Sequence, residues 1–245
     1  MNVFQNHYYI NLSDRPDRNK SAIEQLSKLD ITPNRINAVK TKMGIVGCGL
    51  SHIRCIQEAQ IKGWPYVCIF EDDIVIYKAN LLQKKVKKLI DEPFDVLMLA
   101  GNNFRPFEEH DDYIKVSKCF TTGAYIIKSH YYDTWLNNLN EGIKLLMGTG
   151  NRDYSLDSFN HSLQRSDNWW LITPICCYQK PDYSDIEDRE VDDEKEFEAI
   201  IESIKEQALE VIKENPMLPS EASFAVKNIK SDSFLVNFIS SNMDL

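Results

Sequence analysis

Alternation of short apolar runs with amphipathic segments over the first 180 residues constrains the fold more than any other feature. Strand-like apolar runs occupy residues 7–12, 34–39, 66–70, 94–100, 124–129 and 169–178. Segments with helical spacing of apolar residues lie at 15–30, 47–63, 79–90, 129–140 and 153–165. This alternation predicts an α/β fold, with a mostly parallel sheet flanked by helices. Ligands of such sheets bind at the carboxyl ends of the strands.

The composition changes near residue 182, where an acidic stretch leads into a long amphipathic segment. We therefore predict a catalytic domain over residues 1–186, followed by an acidic linker and helical C-terminal extension over 187–245. The apolar stripe of that helix comprises Phe197, Ile200, Ile201, Ile204, Ala208 and Ile212. Either the main domain or a second subunit could cover the stripe, and the second alternative predicts a homodimer.

Charge and hydropathy exclude several classes of function. The net charge of -9 argues against broad nucleic-acid binding, which needs a basic face. The sequence contains no run of about 18 apolar residues, so we predict no membrane-spanning helix. The first residues lack the pattern of a secretory signal, so we expect a cytoplasmic protein with its six cysteines reduced.

Three acidic residues follow the apolar run at 66–70, namely Glu71, Asp72 and Asp73. Hard cations such as manganese and magnesium prefer carboxylate oxygens and often join a protein carboxylate to a substrate phosphate. Acid pairs also occur elsewhere in this chain, so a solvated acidic turn is the alternative. The preceding strand favours a metal site, because it would hold the carboxylates on a rigid base.

Two arginines, Arg15 and Arg18, lie at the predicted start of the first helix. A helix N-terminus favours negative charge, so these cations are explained if an anion such as a diphosphate also binds there. Pairing with Asp14, Asp17 or Glu24 on the surface is the alternative explanation.

Glycines at 44, 47 and 49 precede a predicted helix that contains Ser51 and His52. A glycine-rich helix start can hold a phosphate, but the spacing fits neither the Walker A pattern nor the dinucleotide fingerprint. Ser51 and His52 could face a ligand; a capping or core role is the alternative.

Residues 152–161 contain three titratable side chains at intervals of four, Asp153, Asp157 and His161. On a continuous helix they would share one face, and either carboxylate could act as a general base. The alternative is an ordinary amphipathic helix with its acids in water.

Together these segments resemble glycosyltransferase family 25, which includes lipooligosaccharide sugar transferases and collagen β-galactosyltransferases. The resemblance covers residues 8–186 in the order of the family's motifs. The matching segments are Ile10-Asn11-Leu12 with the two arginines, Ala38-Val39, Gly47-Cys48-Gly49-Leu50-Ser51-His52, Glu71-Asp72-Asp73, Gly123-Ala124-Tyr125-Ile126-Ile127, Gln179 and Ser184-Asp185-Ile186.

This resemblance implies an A-type glycosyltransferase fold, a UDP-sugar donor, manganese (or magnesium) and inversion at the anomeric carbon. It implies that Asp73 binds the metal, with Asp72 or Glu71 assisting. Asp157 is the first candidate for the catalytic base and Asp153 the second, and Asp72 is a further candidate catalytic residue. The resemblance also implies that the nucleotide and diphosphate are bound by Asn11, Leu12, Arg15, Arg18, Ala38, Ser51 and His52.

The predicted reaction moves a hexose from the UDP-sugar to a hydroxyl of a glycan, or of a hydroxylysine-type protein side chain. Two other functions fit the same sequence. Acids after a strand also serve metal-dependent nucleotidyl or phosphoryl transfer. A catalytically inactive protein that binds sugar nucleotides could retain the fold and the helical tail.

Overall fold

The computed structural model describes residues 2–180, 182–184, 189–191, 201, 205–213 and 226–229. The chain divides into two compact units, Met1–Lys180 and Pro181–Leu245. The first unit ends six residues before the predicted domain boundary at 186, and the assignment of domains to functions stays a prediction.

The first unit contains six helices and twelve strands. The helices are α1 Pro16–Ser27, α2 Gly44–Ile61, α3 Ala79–Leu89, α4 Tyr132–Thr149, α5 Leu156–Phe159 and α6 His161–Ser166. The strands are β1 His7–Asn11, β2 Arg35–Asn37, β3 Tyr66–Glu71, β4 Ile74–Ile76, β5 Val96–Met98, β6 Asn102–Asn103, β7 Glu108–Glu109, β8 Tyr113–Lys115, β9 Cys119–Phe120, β10 Ala124–Lys128, β11 Trp169–Ile172 and β12 Cys177–Gln179. Two further strands in the second unit, β13 Asp182–Ser184 and β14 Arg189–Val191, form an antiparallel pair.

Eight strands form the main sheet in the order β2-β1-β3-β10-β5-β11-β8-β7. Strands β1, β2, β3, β5, β7 and β11 run in one direction, whereas β8 and β10 run in the other. The predicted α/β class and mostly parallel sheet are therefore confirmed. Strand β10 is antiparallel to β5 because no helix crosses over between them in the chain, and parallel neighbours need such a crossover.

Helices cover both faces of this sheet. Ile56 of α2 and Trp135 of α4 pack with Ile69 and Tyr125 in one apolar cluster. Leu26 of α1 and Val86 of α3 pack in a second cluster, with the side chains of alternate strand residues. Since successive strand residues point to opposite faces, one continuous run such as β3 supplies both layers.

The segment predicted as one helix over 153–165 is broken in the structure. A 3-10 turn at Arg152–Tyr154 is followed by extended backbone at Ser155 (ψ 159°), and two short helices follow. Asn160, between the two helices, is buried and accepts a hydrogen bond of 2.8 Å from Trp135 Nε1. The prediction that Asp153, Asp157 and His161 share one helical face was therefore wrong.

Within the predicted C-terminal extension, residues 201, 205–213 and 226–228 are helical, whereas 189–191 form strand β14. Of its predicted apolar stripe, Ile201, Ala208 and Ile212 are buried. Phe197, Ile200 and Ile204 lie outside the described residues, as do Asp185 and Ile186 of the last family motif. Within the described ranges, no helix combines the length and the apolar character needed to cross a membrane.

Candidate active site

The acidic cluster lies where β3 ends and a tight turn leads into β4. Strand β1 runs parallel beside β3, with Ile10 opposite Glu71, so Asn11 reaches the same edge of the sheet. Asn11 Nδ2 donates a hydrogen bond of 2.6 Å to Asp72 Oδ2. The two segments that the sequence places at the carboxyl edge thus meet through side chains 61 residues apart.

Arg18 approaches the acidic cluster from the first turn of α1. Its Nη1 lies 3.2 Å from Asp72 Oδ1 and 3.3 Å from Asp73 Oδ2, and its side chain is 13% exposed. Arg15, by contrast, forms an ion pair of 2.9 Å with Asp17. The two arginines therefore differ in role, because Arg18 offsets the charge of the cluster while Arg15 lies near the start of the helix.

Asp73 is the most constrained carboxylate of the cluster. Its Oδ2 accepts a hydrogen bond of 2.9 Å from Gln179 Nε2, whereas its Oδ1 is buried without a hydrogen-bond partner among the residues that the structure describes. Burial and the nearby Glu71 carboxylate raise the pKa of Asp73 to about 7. A buried carboxylate oxygen without a donor is costly unless a ligand satisfies it, as a metal ion would.

Asp72 differs from Asp73 because both of its oxygens accept hydrogen bonds, one from Asn11 and one from Arg18. Burial raises its pKa, although these two donors oppose the rise. Asp72 is therefore better placed to hold Arg18 and Asn11 than to offer a free oxygen to a cation.

Glu71 belongs to a second group of polar side chains. His52 Nε2 lies 3.2 Å from Glu71 Oε1, and His52 Nδ1 lies 2.8 Å from the hydroxyl of Tyr125. A carboxylate only accepts, so His52 Nε2 is the donor to Glu71, while Nδ1 pairs with the Tyr125 hydroxyl. Sequence analysis missed this role of Tyr125, which it treated only as part of a strand.

Thr122 joins Glu71 to the candidate base Asp157. Its hydroxyl lies 3.0 Å from Asp157 Oδ1 and 3.5 Å from Glu71 Oε1. Burial and the charge of Glu71 raise the pKa of Asp157 to about 6, and the hydrogen bond from Thr122 opposes that rise. A carboxyl group with this pKa is mostly ionised at neutral pH and is a stronger base than an ordinary aspartate.

Asp153, the second candidate base, is exposed in the 3-10 turn before α5. Its backbone N–H and one carboxylate oxygen are hydrogen-bonded to the side chain of Asn151. The structure thus brings Asp157 to Thr122 and Glu71, and it leaves Asp153 on a solvated turn. The choice of Asp157 as the base stays a prediction that this placement favours.

Ser51 is held by backbone groups rather than directed at an open cleft. Its hydroxyl donates to Gly47 O at 2.7 Å and accepts from Val39 N at 2.8 Å. A Cβ on Gly47 would lie 2.4 Å from Val39 O, so this glycine permits close packing of α2 on the segment after β2. Ala38 N likewise donates to Asn11 O at 3.0 Å. The predicted nucleotide contacts of Leu12, Ala38 and Ser51 stay predictions.

One further group of potential metal ligands occurs among the described residues, Cys48, His52 and Glu71. Their ligand atoms all lie within 4.8 Å of one another. Burial raises the pKa of the Cys48 thiol well above its usual value, so the thiol is protonated at neutral pH. Manganese and magnesium favour oxygen ligands, and for them the unpartnered Oδ1 of Asp73 is the better ligand.

A protein-family model matches the part of the chain that contains the acidic cluster. Residues 43–151, which include α2, the acidic cluster and β10, match the family model described as glycosyltransferase family 25 (LPS biosynthesis protein). These 109 residues, less than half of the chain, resemble glycosyltransferase family 25. The predicted resemblance is confirmed, and the matched residues contain the 47–52, 71–73 and 123–127 motifs.

The curated relatives each match less than half of this chain. The probable inactive glycosyltransferase 25 family member 3 of Bos taurus is 26% identical over 140 residues, covering 43% of this chain and 23% of that protein. Lon protease of Flavobacterium johnsoniae is 58% identical over 59 residues, covering 24% of this chain and only 7% of the protease. The chain thus spans a small part of the curated relatives it matches.

Among solved structures, this chain is similar to a glycosyltransferase involved in the glycosylation of the major capsid of PBCV-1. The identity is 9% and the TM-score is 0.38, with 69% of this chain and 92% of that chain covered.

Proposed function

We propose that the protein is a metal-dependent glycosyltransferase that moves a hexose from a UDP-sugar to an acceptor hydroxyl. The observation that carries the proposal is the buried, unpartnered Oδ1 of Asp73, in a group of carboxylates at the carboxyl edge of a family 25 domain. This edge is where α/β folds bind nucleotides. A match to 7% of a protease does not transfer proteolytic activity to this chain.

The residues present fit a manganese or magnesium ion. Asp73 would supply the main oxygen ligand, with Asp72 or Glu71 assisting, because hard cations select carboxylate oxygens. When bound, such an ion supplies positive charge to the diphosphate that leaves the sugar. Arg18 holds the cluster together without the ion, since its guanidinium already lies between Asp72 and Asp73.

Arg15 and the start of α1 support the prediction that the diphosphate binds near the N-terminus of the first helix. Helix α1 begins at Pro16, and in the described part of the chain no side chain caps its first N–H groups. Those N–H groups and the Arg15 guanidinium together favour an anion. Asn11, the last residue of β1, donates hydrogen bonds from Nδ2 to Asp72 and to the carbonyl of Arg15. In this proposal Arg15 stabilises the charge on the departing UDP.

Asp157 removes the proton of the acceptor hydroxyl in the proposed reaction. The acceptor oxygen forms a bond to the anomeric carbon while the bond to the UDP oxygen breaks, and the hydroxyl proton passes to Asp157. Direct attack of this kind inverts the anomeric centre. Thr122 orients the carboxylate through its 3.0 Å hydrogen bond, while burial and then the charge of Glu71 keep the pKa of Asp157 above its usual value.

Two other functions compete with this proposal. Carboxylates after a strand also support nucleotidyl transfer, and one bovine relative is described as probably inactive. The test is incubation of the purified chain with manganese and either UDP-sugars or nucleoside triphosphates, with UDP and pyrophosphate measured as separate products. UDP release from a UDP-sugar supports the proposal. Pyrophosphate release favours nucleotidyl transfer, and UDP binding without turnover favours an inactive binding protein.

A further inference from the structure

Close to the candidate base lies an aromatic face formed by Phe104, Phe120 and His161. The rings of Phe104 and Phe120 meet edge to face with centroids 5.6 Å apart, and Phe120 meets His161 in the same way at 4.5 Å. Phe104 is 51% exposed although it is a large apolar side chain. Lys118 Nζ lies 5.8 Å from the Phe104 centroid and 5.6 Å from that of Phe120.

Two short stretches of chain connect the aromatic face to the candidate base. Phe120 precedes Thr122 by two residues, so their Cα atoms are at most about 7 Å apart. His161 follows Asp157 by four residues, at the start of the next short helix. Because Thr122 and Asp157 are hydrogen-bonded to each other, Phe120 and His161 are both a few residues along the chain from the same pair of side chains.

The backbone under the aromatic face is held in a fixed shape. Strand β6 pairs with β9, and Phe104 N donates to Lys118 O at 2.9 Å. Thr121 has a φ of 74°, an uncommon conformation for a β-branched residue, directly between Phe120 and Thr122. Strain of this kind persists where surrounding contacts enforce it, and it is common at binding sites. The face is therefore positioned before any ligand binds.

We propose that this aromatic face is the acceptor subsite, and that the acceptor is a glycan rather than a hydroxylysine side chain. This inference rests on the proposed glycosyl transfer. A sugar ring presents a face of C–H groups that packs on aromatic rings, and its hydroxyls can accept from Lys118. A hydroxylysine carries an ammonium group, which Lys118 would repel. Lys118 and Arg165 both act to lower the pKa of His161, after the larger effect of burial, so the positive charge extends over this face.

The test uses the full chain, a printed glycan array and a hydroxylysine-containing collagen peptide. Phe104→Ala is the test variant because half of that side chain is already exposed, so little core packing is lost. Tyr77→Ala is the matched control, since Tyr77 is also an aromatic with 50% exposure. We expect wild type and Tyr77→Ala to bind array glycans and Phe104→Ala to lose about tenfold in affinity, the scale of one aromatic contact.

The kinetic arm follows UDP release with the glycans that bind and with the peptide. Phe104→Ala should raise the KM for the glycan by about tenfold, whereas the control Tyr77→Ala should keep the wild-type KM. Equal glycan KM values for Phe104→Ala and wild type would overturn the subsite. Acceleration by the peptide alone, or no glycan binding on the array, would overturn the acceptor class. Failure of the donor to be hydrolysed by wild type would instead count against the proposed glycosyl transfer.

Discussion

Arg18 Nη1 lies 3.3 Å from Oδ2 of Asp73, so the first helix of the chain reaches the carboxylate proposed to bind a metal. The same nitrogen lies 3.2 Å from Asp72 Oδ1. With side-chain exposures of 8% to 13%, these charges are screened less by water than a surface pair. Arg18 is therefore expected to stabilise the fold as well as the site.

Replacing Arg18 by Gln should lower the free energy of unfolding by about 3 kcal/mol at pH 8, because two buried carboxylates lose their cation. Arg15→Gln is the matched control: its partner Asp17 is 62% exposed, and such surface pairs contribute less than about 1 kcal/mol. Urea unfolding of both variants gives the two values. Equal losses for the two variants would show that Arg18 does not carry this extra stabilising role.

Asp157→Asn should stabilise the fold at pH 8 and leave it unchanged near pH 4. The folded-state pKa of Asp157 is raised from 3.8 to about 6, so the folded protein holds this proton more tightly than the unfolded chain does. Stability is therefore lost as the pH rises from 3.8 through 6, by about 3 kcal/mol for this group. Urea unfolding without divalent cations measures the free energy of unfolding of wild type and variant. If the variant were no more stable than wild type at pH 8, the raised pKa of Asp157 would be refuted.

Thr122→Val should move the acidic limb of the pH–rate profile to higher pH. The Thr122 hydroxyl donates to Asp157 and thereby favours the charged form, so its loss raises the pKa of the base further. A positioning role predicts this shift, whereas a purely structural role predicts a lower rate with the same profile. The profile of kcat/KM for the transfer reaction from pH 5 to pH 9 distinguishes the two.

Gly47→Ala should destabilise the protein by about 2 kcal/mol, since the new Cβ would lie 2.4 Å from the backbone oxygen of Val39. Gly148→Ala is the control in the last turns of α4, where nothing lies within 4 Å of the added Cβ. That control should gain up to about 0.5 kcal/mol from helix propensity. If thermal unfolding showed equal effects for both variants, Gly47 would not be needed for helix packing.

Much of the fold follows from local patterns in the sequence. Apolar runs such as 66–70 become buried strands, and the spacing of Leu82, Val86 and Leu89 places all three on the buried face of α3. The direction of β10 could not be predicted, because it depends on the chain between β5 and β10 making no helical crossover. The break at Ser155 also escaped prediction, since Asn160 is fixed by Trp135, a contact between distant parts of the chain.

The position of a polar side chain was predictable where a motif coincides with a strand end, as for Glu71, Asp72, Asp73 and Asn11. Its hydrogen bonds were not predictable, because partners such as Thr122 and Asp157 are 35 residues apart and carry no periodic signal. From the sequence, Arg15 and Arg18 had the same two possible roles, binding an anion or pairing with surface acids. Only the packing of α1 beside the acidic cluster separates the surface pair of Arg15 from the buried pairs of Arg18.

The role of Asp73 is the central claim, and one measurement tests it most directly. Release of UDP from a UDP-sugar is followed with manganese for wild type, Asp73→Asn and the exposed control Asp111→Asn. Loss of a metal ligand should lower the rate at saturating donor by at least about 100-fold in Asp73→Asn. Asp111→Asn should match wild type. A rate for Asp73→Asn within about twofold of wild type, at the same manganese concentration, would contradict the assignment of Asp73 to the metal.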